Sequence, residues 1–121
     1  CYKHRPNVNQ IGEMRVLGDV KDKNVVIIDD IADTAGTLCK AAEVMKEAGA
    51  KSVRALCSHP VMSDPATQRV DDSTLTEIIF TNSIPYSGSA KATVLPVAEL
   101  FADTIRRIHN NQSISSQYLM K

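Results

Sequence analysis

The sequence predicts an α/β domain, a mostly parallel sheet flanked by helices, and three observations carry that prediction. The run Val25-Val26-Ile27-Ile28 is apolar and β-branched with no polar alternation, the pattern of a strand buried on both faces beneath covering helices. From Thr34 to Ala48, Leu38, Ala41, Ala42, Met45 and Ala48 recur at helical spacing, and Gly49 supplies the stop. Further strand-like runs follow, buried over 52–57, then over 75–80, and last at Ala92 to Leu95.

The first strand leads directly into Asp29-Asp30-Ile31-Ala32-Asp33-Thr34-Ala35-Gly36-Thr37. In open α/β sheets ligands bind outside the carboxyl ends of the strands, so Asp29 and Asp30 stand where a polar substrate is expected. Residues 33–37 then combine small side chains, two hydroxyls and Gly36 just ahead of a helix, where unpaired backbone N–H groups and the helix dipole favour an anion. Gly36 permits close backbone approach. Carboxylates beside an anion site repel a bare phosphate but suit a phosphorylated sugar, whose hydroxyls donate to Asp29 or Asp30. The competing reading is that Asp33 or Thr34 merely caps the helix and the Asp pair is solvated.

At 121 residues the chain makes one domain, burying about two-thirds of its unfolded surface. The 14 basic and 14 acidic residues balance, so no overall field draws it to nucleic acid or to an anionic membrane. No apolar run approaches membrane-spanning length and no signal-peptide pattern is present, so a soluble protein is expected, and the cysteine usage fits a reducing cytoplasm. Cys1, Cys39 and Cys57 make neither an even disulfide framework nor a metal pair. Cys39 and Cys57 read as small packing groups. His4, His59 and His109 lack close metal-ligand spacing.

The remaining segments fall in order around this centre. Residues 3–7 form a polar, Pro-interrupted loop feeding a short edge strand at 14–18. Ser58-His59-Pro60 closes the second strand at the ligand edge, where His59 either faces the crevice or bonds local backbone. Asp64 as cap and Pro65 at the first helical position open a short helix to about Asp71. Thr81-Asn82-Ser83 leaves the third strand at the same edge. Pro96 opens a final helix with Val97, Leu100, Phe101, Ile105 and Ile108 along a core-facing stripe, stopped by Asn110-Asn111.

The 29–37 stretch resembles the phosphoribosyl-diphosphate-binding motif of the type I phosphoribosyltransferase fold: four apolar residues, two acids, two variable residues, then D-T-A-G-T. Arg5-Pro6-Asn7-Val8, Glu13-Met14 through Gly18-Asp19-Val20, His59-Pro60-Val61-Met62-Ser63, Thr81-Asn82-Ser83-Ile84-Pro85 and Ile105-Arg106-Arg107-Ile108-His109 narrow the match to the ribose-phosphate diphosphokinase family. Asp64 stands where that family often has Gly.

The resemblance implies a three-layer phosphoribosyltransferase-like domain, incomplete at its N-terminal side. Residues 1–121 would be a partial C-terminal domain with a catalytic loop over about 1–13 and the sugar-phosphate motif at 29–37. It implies transfer of the β,γ-diphosphoryl group of ATP to the 1-hydroxyl of ribose 5-phosphate, for nucleotide biosynthesis, with Mg²⁺ held by ligands outside this segment. Lys3 and Arg5 match the family's catalytic Lys-x-Arg. Arg5, Asp29, Asp30, Asp33, Thr34, Ala35, Gly36 and Thr37 are implied to bind ribose 5-phosphate. Hexamers assembled from dimers are implied, and Ser113 and Ser115 are similar to a tail Ser-x-Ser near the family's regulatory site. The alternatives are a nucleobase phosphoribosyltransferase and a non-catalytic regulatory paralogue of the synthase.

Overall fold

A computed structural model of the chain describes residues 2–3 and 14–118. Two short strands, β1 (Tyr2–Lys3) and β2 (Met14–Arg15), pair antiparallel with each other. The strand expected at 14–18 is thus half of a two-residue ribbon, separate from the main sheet. The main sheet holds β3 (Asn24–Ala32), β4 (Ser52–Pro60), β5 (Glu77–Thr81) and β6 (Ala92–Leu95) in that order, all parallel. Helix α1 (Gly36–Glu47) crosses from β3 to β4, and α2 (Ala66–Asp72) from β4 to β5. The strands expected from sequence are all present, and the parallel α/β architecture is as predicted.

Each strand exposes alternate faces, as a pleated backbone must. Val53, Ala55 and Cys57 of β4 and Ile78 and Phe80 of β5 are fully buried against Leu38, Ala42 and Met45 of α1 and Ala66 and Val70 of α2. Phe80 meets Tyr86 edge to face with ring centroids 5.5 Å apart, and the Tyr86 hydroxyl lies 2.8 Å from Thr67 Oγ1 on α2.

The opposite face corrects an expectation. The 25–28 pattern predicts burial on both sides, yet Val26 is exposed and Ile28 is 77% exposed. Successive crossovers that step the same way across a sheet, with their usual right-handed sense, lay their helices on one face. Helices α1 and α2 pack against each other on that face, and among the described residues nothing covers Val26 and Ile28.

Helix boundaries follow local chemistry. Helix α1 ends in a Schellman motif: the Gly49 N–H donates to Lys46 O and the Ala50 N–H to Met45 O, each at 3.0 Å, with Gly49 at φ +99°. Helix α3 (Ala98–His109) ends the same way on left-handed Asn111, whose N–H donates to Ile108 O while that of Gln112 donates to Arg107 O. Helix α2 starts one residue later than expected. Pro65 is its cap residue, no side chain caps it, and the Ala66 N–H donates to Ser63 O instead.

The apolar stripe of α3 is the second correction. None of its residues is buried, and Leu100, Phe101, Ile105 and Ile108 are all more than half exposed. The helix keeps its amphipathic pattern without a packed partner among the described residues.

Candidate functional site

Strand β3 carries Asp29 and Asp30 to the carboxyl edge of the sheet, in register with the end of β4, where Ile31 sits opposite His59. The Met62 N–H donates to Ala32 O at 2.9 Å and ties the exits of the two strands together. The chain then bends at Asp33 and Thr34, and Ala35 takes the left-handed conformation, φ 62° and ψ 9°, before α1 begins at Gly36. A left-handed residue beside a right-handed one turns successive N–H groups into one concavity, a ready anion nest. The first helical hydrogen bond runs from the Cys39 N–H to Ala35 O at 3.0 Å, which leaves the N–H groups of the first turn without intrahelical acceptors.

Neither Asp33 nor Thr34 caps this helix. The cap residue is Ala35, and no side chain bonds to it, so the capping alternative drops out. The left-handed residue is Ala35 and not Gly36, whose φ is unexceptional. An alanine tolerates that strain here because its methyl is buried in the core cluster, a contact that glycine would forfeit. Gly36 is bare for another reason. A Cβ on it would lie 3.1 Å from Nη1 of Arg69, and that same nitrogen donates to Thr34 O at 3.1 Å.

Asp29 and residues 31–38 line an open depression of about 230 Å³. It brings together Asp29, Asp33, Thr34, Ala35, Gly36 and Thr37. Asp30 stands just outside it. The Asp30 N–H donates to Asp29 Oδ1 and the Ile31 N–H to Asp30 Oδ1, both at 2.8 Å. The Asp30 carboxyl is held below the usual carboxylate range by the Asp29 side chain first, then by the Ile31 N–H, with attraction to His59 a smaller cause. An ionised, acceptor-only Asp30 suits hydroxyl donors.

The structure also settles what His59 touches. Its Nδ1 lies 2.8 Å from Ser83 Oγ, and Ser83 Oγ donates to Ser58 O at 3.1 Å. With the serine proton on Ser58 O, Nδ1 is the histidine's donor, a tautomer assigned from the network. His59 is bonded to a side chain from the loop after β5, not to local backbone.

Of the two residues expected from the resemblance to be catalytic, Lys3 belongs to β1 through its backbone, while Arg5 and the loop around it lie outside the described residues. The tail is fastened to α3: Ser113 Oγ and Ser115 Oγ are 2.8 Å apart, and Arg107 Nη1 donates to Ser113 O and, at 2.7 Å, to Ser116 Oγ. Among the described residues no three histidine, cysteine or acidic side chains gather into a set that could hold a metal ion, and no helix is long and apolar enough to cross a membrane.

A family model described as the phosphoribosyl synthetase-associated domain matches residues 4–121. The chain belongs to the phosphoribosyl synthetase family. It is 56% identical to a ribose-phosphate pyrophosphokinase of Porphyromonas gingivalis over 98% of this chain and 38% of that protein. With the Helicobacter hepaticus enzyme of the same name it shares 50% identity over 96% of this chain and 38% of the relative. The crystal structure of phosphoribosylpyrophosphate synthetase from Mycobacterium smegmatis superposes with a TM-score of 0.77 at 42% identity, covering 80% of this chain and 34% of that one. The chain therefore spans less than two-fifths of these phosphoribosyl synthetase relatives.

Sequence reasoning missed Arg69. It lies on the exposed side of a seven-residue helix and 35 positions from its partner Thr34, with no local pattern to mark it. Its sole sequence-level trace is a glycine at a helix start that does not need left-handed freedom.

Proposed function

We propose that this chain is the ribose 5-phosphate-binding part of a ribose-phosphate diphosphokinase, the enzyme that moves the β,γ-diphosphoryl group of ATP to the 1-hydroxyl of ribose 5-phosphate. One observation carries the reading: an uncapped helix start behind left-handed Ala35 opens into the same depression as Asp29. The 5-phosphate sits on the N–H groups of residues 35–37 and the hydroxyls of Thr34 and Thr37, where the helix dipole favours it. Asp29, and Asp30 beside it, accept from the ribose hydroxyls and fix the orientation of the ring. A ring held at both ends presents its 1-hydroxyl in one direction, which is the positioning contribution to transfer.

Lys3 and Arg5 supply positive charge to the diphosphoryl group as it moves, Lys3 as a point charge and Arg5 as a planar fork. Magnesium, which the family resemblance calls for, would offset charge on the same group. The donors described here do not form a set for it, so its ligands are not assigned to these residues. Assembly into oligomers and a reducing cytoplasm, suited to the free thiols of Cys39 and Cys57, belong to the same proposal.

The test is a titration of the isotopically labelled chain with ribose 5-phosphate, with inorganic phosphate and ribose as controls. Amide shifts should fall on residues 33–38, and ribose 5-phosphate should bind more tightly than either half. Shifts centred instead on the depression at Asn82 and Pro85–Gly88, with residues 33–38 unmoved, would overturn the reading.

A further inference from the structure

We infer that Arg69 is a positioning residue of the sugar-phosphate site, fastening helix α2 to the anion-binding turn from behind. The inference rests on the ribose 5-phosphate reading and deepens it. Arg69 does not line the depression. Its Nη1 instead donates, at 3.1 Å, to the carbonyl oxygen of Thr34, and that carbonyl shares a peptide unit with the N–H of Ala35.

A trans peptide points its C=O and N–H in opposite directions. Holding Thr34 O toward α2 therefore turns the Ala35 N–H away from α2, to the side where the depression opens. A carbonyl that accepts a charged hydrogen bond also polarises its own amide, and the N–H becomes the better donor. One contact thus aims and strengthens a donor of the nest.

The turn needs such a hold. Ala35 is left-handed, a conformation that an L-residue avoids unless its surroundings impose it. The Cys39 N–H on Ala35 O restrains the helix side of the turn, while Arg69 restrains the strand side. Helix α2 is a firm base, since Ala66 and Val70 are fully buried. Gly36 completes the arrangement, because any Cβ there would crowd the guanidinium at 3.1 Å.

The experiment compares the chain with Arg69→Met, which keeps most of the side-chain bulk and removes the donor, and with Arg69→Lys, which restores a cationic donor. Losing the hold lowers the fraction of binding-competent turn, so Arg69→Met should weaken ribose 5-phosphate binding about fivefold, with Arg69→Lys recovering part of the loss. In the ligand-free protein the Thr34 carbonyl ¹³C resonance should move in Arg69→Met, while core amides at Val53 and Ile78 stay in place. Unchanged affinity in Arg69→Met, or an unmoved Thr34 carbonyl, overturns the role of Arg69 and leaves the sugar-phosphate reading standing. Absence of ribose 5-phosphate shifts on residues 33–38 in the unsubstituted chain overturns that reading, and the role of Arg69 with it.

Discussion

Gly36→Ala separates two ways in which a glycine can serve an anion site: by letting the anion approach, or by letting another side chain hold the turn. The structure favours the second. The new Cβ would lie 3.1 Å from Arg69 Nη1 and 4.0 Å from Thr34 Oγ1, so the guanidinium must retreat by a few tenths of an ångström. Its bond to Thr34 O is already 3.1 Å long, and that retreat carries it past the ordinary range of about 2.7–3.2 Å. Hydrogen bonds from charged groups can contribute more, but this donor is exposed and its bond long, so the ordinary about 0.5–1.5 kcal/mol applies, which corresponds to ribose 5-phosphate binding weakened by about 2- to 12-fold. Stability should barely change. Replacing a helical glycine by alanine gains up to about 1 kcal/mol, which offsets the lost bond. Isothermal titration of Gly36→Ala, Arg69→Met and the double variant then decides the matter, because changes acting through one contact are not additive. The double variant should bind no more weakly than the worse single one. A double variant whose loss equals the product of the two single losses would show that the Gly36 position meets the anion directly, and would refute the route through Arg69.

Three further outcomes are expected, the first from the family resemblance and the other two from the structure. In a whole enzyme containing this segment, Lys3→Ala and Arg5→Ala should lower kcat on the order of 10²–10³ with little change in KM for ribose 5-phosphate, and Arg5→Lys should stay defective; near-normal kcat in Lys3→Ala would favour a regulatory paralogue. Burial, with smaller contributions from Asp29 and Asp30, pushes the Cys57 thiol from the ordinary 9.0 up to about 11. The thiol's contribution to stability is therefore fully present below pH 9 and lost as pH rises to about 11, and urea unfolding across that window should show a steeper decline for the unsubstituted chain than for Cys57→Ala. Phe80→Ala, at a fully buried ring, should cost about 3–5 kcal/mol, whereas Ile28→Ala at 77% exposure should fall within about 0.5 kcal/mol; an equal cost in denaturant titration would mean that the open sheet face is covered in solution.

The elements legible in the sequence are those whose cause is local. Gly49 and Asn111 stop their helices because each takes the left-handed conformation and sends its own and the next N–H back to the last turn, chemistry that depends on a few adjacent residues. The strand at Ala92–Leu95 is likewise readable from its own residues. Burial is different. The apolar residues at 26 and 28 and the stripe on α3 record a packed environment, but composition does not say which elements supply it. Helices α1 and α2 both go to the far face, so Ile28 is 77% exposed, and on α3, none of whose residues is buried, Ile105 is 67% exposed. A pattern can state that a face is built for burial. The path of the crossovers decides which face the described residues bury.

The site divides along the same line. Asp29 and residues 33–37 lie within nine positions of one another, and a strand end followed by a helix start brings them together by connectivity alone. That is why the acid pair and the nest could be read before any fold was known. The conformation of the turn could not. Glycine at 36 marks a place for close backbone approach, but the left-handed residue is Ala35, because its buried methyl and the carbonyl hold from α2 act on the preceding peptide. Arg69 enters through a second crossover, so no window of sequence contains both it and Thr34. The general consequence is physical: residues that touch a ligand at a strand end cluster in the chain, whereas residues that hold the backbone in a strained shape arrive from neighbouring helices. Here that second group leaves one trace in the sequence, a glycine whose missing side chain makes room for a guanidinium.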